Sequence, residues 1–529
     1  MGNKKFSETF STKIGCYNGK SGAVVGDVLL GNNKPIPKKA KVPSYNSEKN
    51  VILQEKFDEL VEQGTLKRAE EVGVKVVHTS PSFLVKNPGD DSYRLVTSFT
   101  ELNKYIHTLP TKMSTSKDVF SAISKWKYMI KTDLKSAYYQ MKIAEGAQKW
   151  LGTVSPFKGV YVYDRGSMGL RNMSEFLEEL MSRIFGDYIM EGFMAKDADD
   201  LFVGGSTIPE LLRNWEKCLQ RLSDNNLTLS AKKTIICPTV VKILGWIWKN
   251  GKLEVDSHKI NPLTVCKPPE TVKQMRSFLG GFRVVTCCIP NYSAYLSQLE
   301  NSVAGKESKD KIEWTESLTT SFKSAQAALK CPKTITLPNP NDELFLVSDA
   351  SNSPAAVGST LYIKRNGKFH IGGFFSAKVG KHQLLWLPCE LEALGITLSI
   401  NNFSHQIRES KHCTKFLTDS KPCVQAFELL SKGSFSLSPR VSSFLMNLNN
   451  VNVAINHISG ESIPLTDFVS RNPICCTDNS CQVCQFVTEH LDIAVRQISV
   501  DDVASGATKM PFYNMVAWKD AQKNDNDLK

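Results

Sequence analysis

The chain has 529 residues, and at roughly 150 residues per domain that leaves room for three or four domains. A peptide hormone or a single small binding module is excluded. Hydrophobic residues make up 41% and charged ones 22%, the balance of a chain that folds, while 65 Lys and Arg against 53 Asp and Glu give a net charge of +12, which suits an anionic partner without identifying one.

Residues 1–45 hold eight lysines against Glu8 and Asp27, half of the excess, with much Gly, Ser and Asn and little apolar periodicity. A flexible basic arm is expected there. Val51, Leu53, Phe57, Leu60, Val61 and Leu66 recur at roughly helical spacing, then the period changes: 82–86 and 92–97, separated by Asn87, Pro88, Gly89, Asp90 and Asp91, predict a β-hairpin. A short strand at 128–132 and a hairpin at 192–205 follow, with helices expected over 174–185 and 209–225. Residues 242–255 read as another hairpin, turned at Asn250 and Gly251. Pro268 and Pro269 break the chain before a helix over 270–283, and the charge-rich and Pro-rich stretch 301–341 predicts a linker. Beyond it, strands at 344–348, 359–364 and 368–376 precede an alternation of helices with strands at 414–418 and 451–457, which indicates a second α/β domain. No run approaches the ~18 to 20 apolar residues of a membrane span, and no apolar signal core follows Met1. A soluble, intracellular, cytoplasmic chain with no membrane partner is expected.

The first chemical candidates are Asp133, ending an apolar strand, and the pair Asp199 and Asp200 between two apolar runs. An isolated Asp-Asp pair is usually a solvated turn. Here the flanks imply acids at the edge of a core, where like charges repel unless a cation neutralises them. Hard oxygen ligands in such a place suit Mg²⁺, with Mn²⁺ as a substitute, and one Asp plus a pair is what a two-metal phosphoryl-transfer site requires.

The blocks KTDLKSAYYQMKI around Asp133, ADDLFVGG around Asp199 and Asp200, YRLVTSFTELNKYI around Arg94, and ILGWIW before a helix containing FLGG resemble, in order and spacing, the reverse transcriptases of gypsy-like LTR retrotransposons and retroviruses. The resemblance implies a right-hand polymerase of fingers, palm and thumb, with Asp133, Asp199 and Asp200 as catalytic, Mg²⁺-holding carboxylates. It implies that Arg94 and Lys86 contact the incoming dNTP and that Tyr138 lies beneath its sugar, excluding a 2′-hydroxyl. Gly169 would line the nucleotide pocket, and Leu244, Gly245 and Trp246 would form a hairpin gripping the primer. Alone, Tyr138 would more often be a core tyrosine.

Asp349, Glu390, Asp419 and Asp467 fall in a strand, helix, strand and helix pattern, where each alone could be a cap or surface residue and the four together read as a metal cluster. The set resembles the ribonuclease H quartet that binds Mg²⁺ and hydrolyses the RNA strand of an RNA:DNA hybrid, and His457 matches that family's mobile histidine. Cys475, Cys476, Cys481 and Cys484, with His490 nearby, have spacing that suits a Zn²⁺ knuckle or four unmetallated thiols. The ten scattered cysteines suit reduced thiols.

The expected fold is α/β (α+β): a right-hand polymerase followed by a ribonuclease H-like α/β domain. The expected division is a basic arm (1–45), fingers and palm (46–265), thumb (266–300), linker (301–341), ribonuclease H-like domain (342–473) and Cys-containing tail (474–529). The expected partners are an RNA or DNA template-primer, RNA:DNA hybrid and dNTPs. A decayed or domesticated element protein that binds nucleic acid with one or both activities lost is the alternative. It is kept open by Asp197, where the family has an aromatic or aliphatic residue, and strand alternation predicts Asp197 and Asp199 on one face.

Overall fold

The computed structural model describes residues 6–32, 39–87, 92–111, 113–249, 251–352, 355–379, 383, 385–434, 438–446, 448 and 451–458. For residues 349–352, 355 and 356 the description covers the backbone alone. The chain divides into two compact units, Met1–Pro238 and Thr239–Lys529. Among the described residues no helix is long and apolar enough to cross a membrane.

In the first unit the elements run α1 (Ser47–Glu62), β1 (Leu66–Arg68), β2 (Ser82–Lys86), β3 (Tyr93–Thr97), α2 (Thr100–Asn103), α3 (Ser116–Ser124) and β4 (Tyr128–Asp133). Then come α4 (Glu145–Gln148), β5 (Gly152–Ser155), β6 (Gly159–Tyr163), α5 (Met173–Met190), β7 (Met194–Asp197), β8 (Asp200–Gly205), α6 (Ile208–Asp224) and β9 (Ile235–Ile236). An antiparallel sheet in the order β7-β8-β4-β9 forms the centre. α6 packs on β4 and β8, while α3 and α5 pack on β7. Strands covered in this way carry continuous apolar runs, so Leu201, Phe202 and Val203 are all buried although they alternate in direction. α6 forms because Thr207 caps it, accepting from the Glu210 N–H, and because Leu211, Trp215, Cys218 and Leu222 line one face at helical spacing.

The expected hairpin at 82–97 is present as β2 and β3, with Val85 opposite Arg94 and Lys86 opposite Tyr93. A chain of buried hydroxyls holds it to the sheet β1-β6-β5. Ser82 Oγ lies 2.6 Å from Thr97 Oγ1 and 2.7 Å from Thr153 Oγ1, and Thr97 Oγ1 lies 2.7 Å from the Tyr163 hydroxyl. Such bonds contribute about 1 kcal/mol each when made and cost more when one partner is removed.

The expectation of a flexible arm over 1–45 is overturned for residues 6–32. Phe6, Tyr17, Val24 and Val28 are buried in the core of the first unit. Backbone bonds seat the segment as an extended strap: Tyr17 N–H donates to Gln140 O (2.7 Å), Gly26 N–H to Lys142 O (2.9 Å) and Leu229 N–H to Thr9 O (2.7 Å). Gly15 passes so close that a Cβ there would sit 2.3 Å from the Asn226 carbonyl oxygen. A strap that fills one pocket at a time needs widely spaced apolar residues and has no period to detect.

The second unit begins with β10 (Val240–Ile243), β11 (Trp246–Lys249), β12 (Lys252–Val255), α7 (Ser257–Val265), α8 (Val272–Arg283), α9 (Tyr292–Val303), α10 (Glu316–Lys330) and β13 (Ile335–Thr336). α8 starts at a reciprocal cap between Thr271 and Gln274. The linker expected over 301–341 is also overturned. Leu318, Phe322, Ala325 and Leu329 of α10 share one core with Met275, Phe278 and Phe282 of α8 and Leu296 and Leu299 of α9, and β13 pairs with β12. Their helical spacing was masked by the Ser, Thr and Lys residues between them.

The unit ends with β14 (Glu343–Asn352), β15 (Ala355–Arg365), β16 (Lys368–Lys378), α11 (Pro388–Asn402), α12 (Ser404–Glu409), β17 (Thr414–Thr418), α13 (Lys421–Ser431), α14 (Pro439–Met446) and β18 (Val453–His457). The sheet order is β16-β15-β14-β17-β18, antiparallel across the first three strands and parallel from β14 to β18. Ala393, Ile396 and Ile400 of α11 pack with Leu346, Phe416 and Leu445 in its core. Antiparallel and mixed sheets, with helices packed on the two central ones, make the chain α/β (α+β).

Candidate active site

β4 and β8 pair with Asp133 opposite Asp200, and β7 and β8 pair with Asp197 opposite Asp200. The strands are joined by a two-residue turn, Ala198 and Asp199, with Ala198 at φ +49°. The sequence expectation of Asp197 and Asp199 on one strand face is therefore corrected: Asp199 lies in the turn, where alternation stops, and Asp197 faces Asp200 across the hairpin. Leu134 N–H donates to Asp199 O at 3.0 Å, tying the turn to the end of β4.

Asp133 is buried, and Lys233 Nζ donates to its Oδ2 at 2.7 Å. Burial raises the Asp133 carboxyl to about 6 and nearby Asp199 adds to this, against the opposing pull of Lys233. Lys131, two residues before Asp133 on the same strand, reaches Asp200 Oδ2 at 3.2 Å. Burial also raises the Asp197 carboxyl, helped by Asp200, Glu178 and Asp199 and opposed by Lys196. With Glu178 and Lys196 neutralising each other, the group holds four carboxylates (Asp133, Asp197, Asp199, Asp200) against two ammonium groups (Lys131, Lys233), an excess of two negative charges.

That excess, on hard oxygen donors with a carboxyl already driven toward protonation, fits divalent cations. Among the described residues no three acid, cysteine or histidine side chains converge enough to chelate an ion as they stand. Lys233 holds an oxygen of Asp133 that such an ion would take over. Lys131 could have been read from the two-residue strand period. Lys233 approaches from a separate loop, and nothing local in the sequence marks it.

Tyr138 follows β4 in a short 3₁₀ turn, Ala137–Gln140; it is half-buried, and its hydroxyl lies 3.2 Å from Ser174 Oγ on α5. Gly169 has φ +85° and its carbonyl accepts from Asn103 Nδ2 at 2.8 Å. Arg171 N–H donates to Asn103 Oδ1, so this loop is pinned to the end of α2. Arg94 is exposed on β3, and Lys86 is exposed at the end of β2.

In the second unit, β10 and β11 join through Leu244 and Gly245, both at positive φ (+51° and +76°). Trp246 is buried at the start of β11. Lys259 Nζ donates to Leu244 O at 3.0 Å, across the space a Cβ on Gly245 would fill, 1.8 Å from Lys259 Cε. Gly245→Ala is therefore expected to destabilise this hairpin by about 1–2 kcal/mol for the left-handed backbone, besides displacing Lys259. Denaturant unfolding of the variant beside the parent measures it.

Of the four acids expected in the nuclease, Asp349 lies in β14, and Asp419 follows β17. The parallel register sets Val347 beside Leu417, so both positions fall two residues further on, at the same end of neighbouring strands. His457 ends β18, paired with Thr418. Glu390, at the start of α11, is bonded within its own surroundings. Ser438 Oγ donates to its Oε1 at 3.2 Å, Arg440 Nη1 to its Oε2 at 3.2 Å, and the Leu387 N–H to Oε2 at 3.2 Å. Burial pushes this carboxyl up, but these bonds outweigh it and hold it below the usual range. Among the described residues Glu392, two residues on and across the helix, interacts with Asp419, which helps burial to raise its carboxyl. The side chain of Asp349 and all of Asp467, Cys475, Cys476, Cys481, Cys484 and His490 lie outside the described residues.

A family model described as reverse transcriptase (RNA-dependent DNA polymerase) matches residues 85–248, and one described as an RNase H-like domain found in reverse transcriptase matches residues 314–414. The chain carries a reverse transcriptase domain followed by a ribonuclease H-like domain. The second match begins at α10, ahead of the boundary expected at 342. Among curated proteins the chain is similar to the Tf2-3 and Tf2-7 transposon polyproteins of Schizosaccharomyces pombe, each 24% identical over 400 residues that cover 75% of this chain and 29% of theirs. The chain thus spans less than a third of the length of these relatives. Among solved structures it shares its fold with a foamy viral protease-reverse transcriptase in complex with dsDNA (TM-score 0.69, 18% identity, 86% of this chain and 92% of that one). The same viral protein in complex with an RNA/DNA hybrid gives a TM-score of 0.63 at 18% identity, over 86% of this chain and 59% of that one.

Proposed function

We propose that the chain is an RNA-directed DNA polymerase that also hydrolyses the RNA strand of RNA:DNA hybrids, copying a retroelement genome in the cytoplasm. The observation that carries this reading is the meeting of Asp133, Asp199 and Asp200 at the β4 and β7–β8 ends with an excess of negative charge. Asp133, Asp199 and Asp200 would hold divalent cations such as Mg²⁺, which would supply activation of the primer 3′-hydroxyl and stabilisation of charge on the leaving pyrophosphate. The chain's own part is to hold the acids rigidly, with Asp133 fixed by strand pairing and Asp199 by its carbonyl bond to Leu134. Lys233 neutralises Asp133 until it is displaced. Arg94 and Lys86 would meet the triphosphate, where a guanidinium fork matches phosphate oxygens. Template-primer binding would run mainly through phosphates and weaken with salt.

Tyr138 would select the sugar, since its ring is held from beyond by Ser174. Tyr138→Ala is expected to raise ribonucleotide incorporation relative to deoxynucleotide incorporation by roughly tenfold or more, the effect of about 1.4 kcal/mol of lost discrimination. The ratio of the two kcat/KM values on one primer reads it. In the nuclease, Asp349, Glu390, Asp419 and Asp467 would form the hydrolytic site with His457 beside it, Glu390 being oriented by Ser438 and Arg440. The test of the whole reading is dTMP incorporation on poly(rA) primed with oligo(dT). Incorporation that needs Mg²⁺ or Mn²⁺ and stops with EDTA supports it; none, from folded protein with either ion, refutes it.

A further inference from the structure

Lys196 lies in β7 beside Asp197, and its ammonium pairs with Glu178 Oε1 on α5. The two side chains are only 2% and 6% exposed. Ser114 Oγ also donates to Oε1, at 3.3 Å, and among the described residues neither Glu178 Oε2 nor Lys196 Nζ makes a hydrogen bond, so the pair is a charge contact. Removing two charges from water costs several kcal/mol per ion, and apolar residues of similar volume usually fold as well or better. Stability does not explain this pair. Apolar contacts already seat β7, through buried Met194 and Ala195. Such contacts tolerate sliding, whereas an ion pair fixes one point.

That point has a specific place. Glu178 and Ser174 are four residues apart on α5 and so share a face. Ser174 meets the Tyr138 hydroxyl, and Glu178 meets Lys196, which stands two residues before the Ala198 and Asp199 turn. One helical turn therefore spans from the ring expected beneath the sugar to the hairpin expected to hold the metal ions.

We propose that the buried Glu178–Lys196 pair is a positioning device that sets the Asp199 and Asp200 hairpin against Tyr138, aligning the reacting phosphate with the sugar that is selected. The proposal rests on the polymerase reading above. Its loss misplaces the acids without removing them, so turnover falls and sugar discrimination relaxes while template-primer binding holds.

The test is the apolar pair Glu178→Met with Lys196→Met in the full chain, beside the charge swap Glu178→Lys with Lys196→Glu. The apolar pair is expected to melt no lower than the parent and to bind template-primer equally. Its kcat should fall roughly ten- to hundredfold, as a misplacement near 1 Å would cause, with a lowered deoxy-to-ribo ratio. Hybrid cleavage should be unchanged. The swap, which restores a charge constraint, should keep kcat within about threefold of the parent. A folded apolar pair with parental kcat and discrimination overturns the proposal, as does a folded swap as impaired as the apolar pair. A parent without any synthesis instead refutes the polymerase reading, and this proposal with it.

Discussion

Asp133→Asn is expected to lower DNA synthesis on the order of a thousandfold while leaving hybrid cleavage near the parental rate. The substitution keeps the shape of the side chain, and an amide oxygen can still accept from Lys233. What it removes is one unit of negative charge and a hard ligand at the place where charge must be stabilised, the kind of loss that costs two to three orders of magnitude. Stability should move the other way. Burial and Asp199 hold the Asp133 carboxyl at about 6, so in the metal-free protein its ionised form is disfavoured by folding. A carboxyl raised in this way contributes stability below its ordinary range that is lost as pH rises through about 6. At pH 7 and in chelator the Asn variant should therefore melt no lower than the parent, and lower melting would remove the electrostatic account of the site. Synthesis and cleavage are assayed on the same preparation, and loss of both in folded protein would contradict two separate centres.

The second large effect concerns the strap. Phe6→Ala with Tyr17→Ala should destabilise the first unit by about 3–5 kcal/mol per side chain, a large part of the 5–15 kcal/mol that stabilises a typical domain. Both rings are buried, and the Tyr17 hydroxyl donates to Gly22 O at 2.6 Å. Polymerase activity should disappear through unfolding, seen as a lost or shifted transition by calorimetry. Parental melting in the double variant would restore the reading of residues 6–32 as a loose arm.

What the sequence revealed and concealed follows from the range of the forces involved. Asp133 and the Asp199 and Asp200 pair were legible because charge at the end of an apolar run is anomalous in itself, and α8 was legible because its cap, its stripe and the prolines before it are all local. The strap was not, since Phe6, Tyr17, Val24 and Val28 each fill a different pocket of a core assembled from distant strands. α10 was obscured by the polar residues of its exposed face. The direction of Glu390 could not be read either, because one helical residue can serve as an N-terminal cap or face the sheet according to what its surroundings offer it, and here Ser438 and Arg440 offer one contact each beside the Leu387 N–H of the cap. The misjudged face of Asp199 came from a turn that falls on the acids themselves, where the strand period no longer applies.

One reaction tests the central claim most directly. A labelled RNA template of mixed sequence, annealed to a differently labelled DNA primer, is incubated with the chain, all four dNTPs and Mg²⁺, and both strands are followed. The account predicts that the primer lengthens to the template end with complementary sequence while the RNA within the new hybrid is cut. A primer that stays unextended in the presence of folded protein and either Mg²⁺ or Mn²⁺ would contradict it.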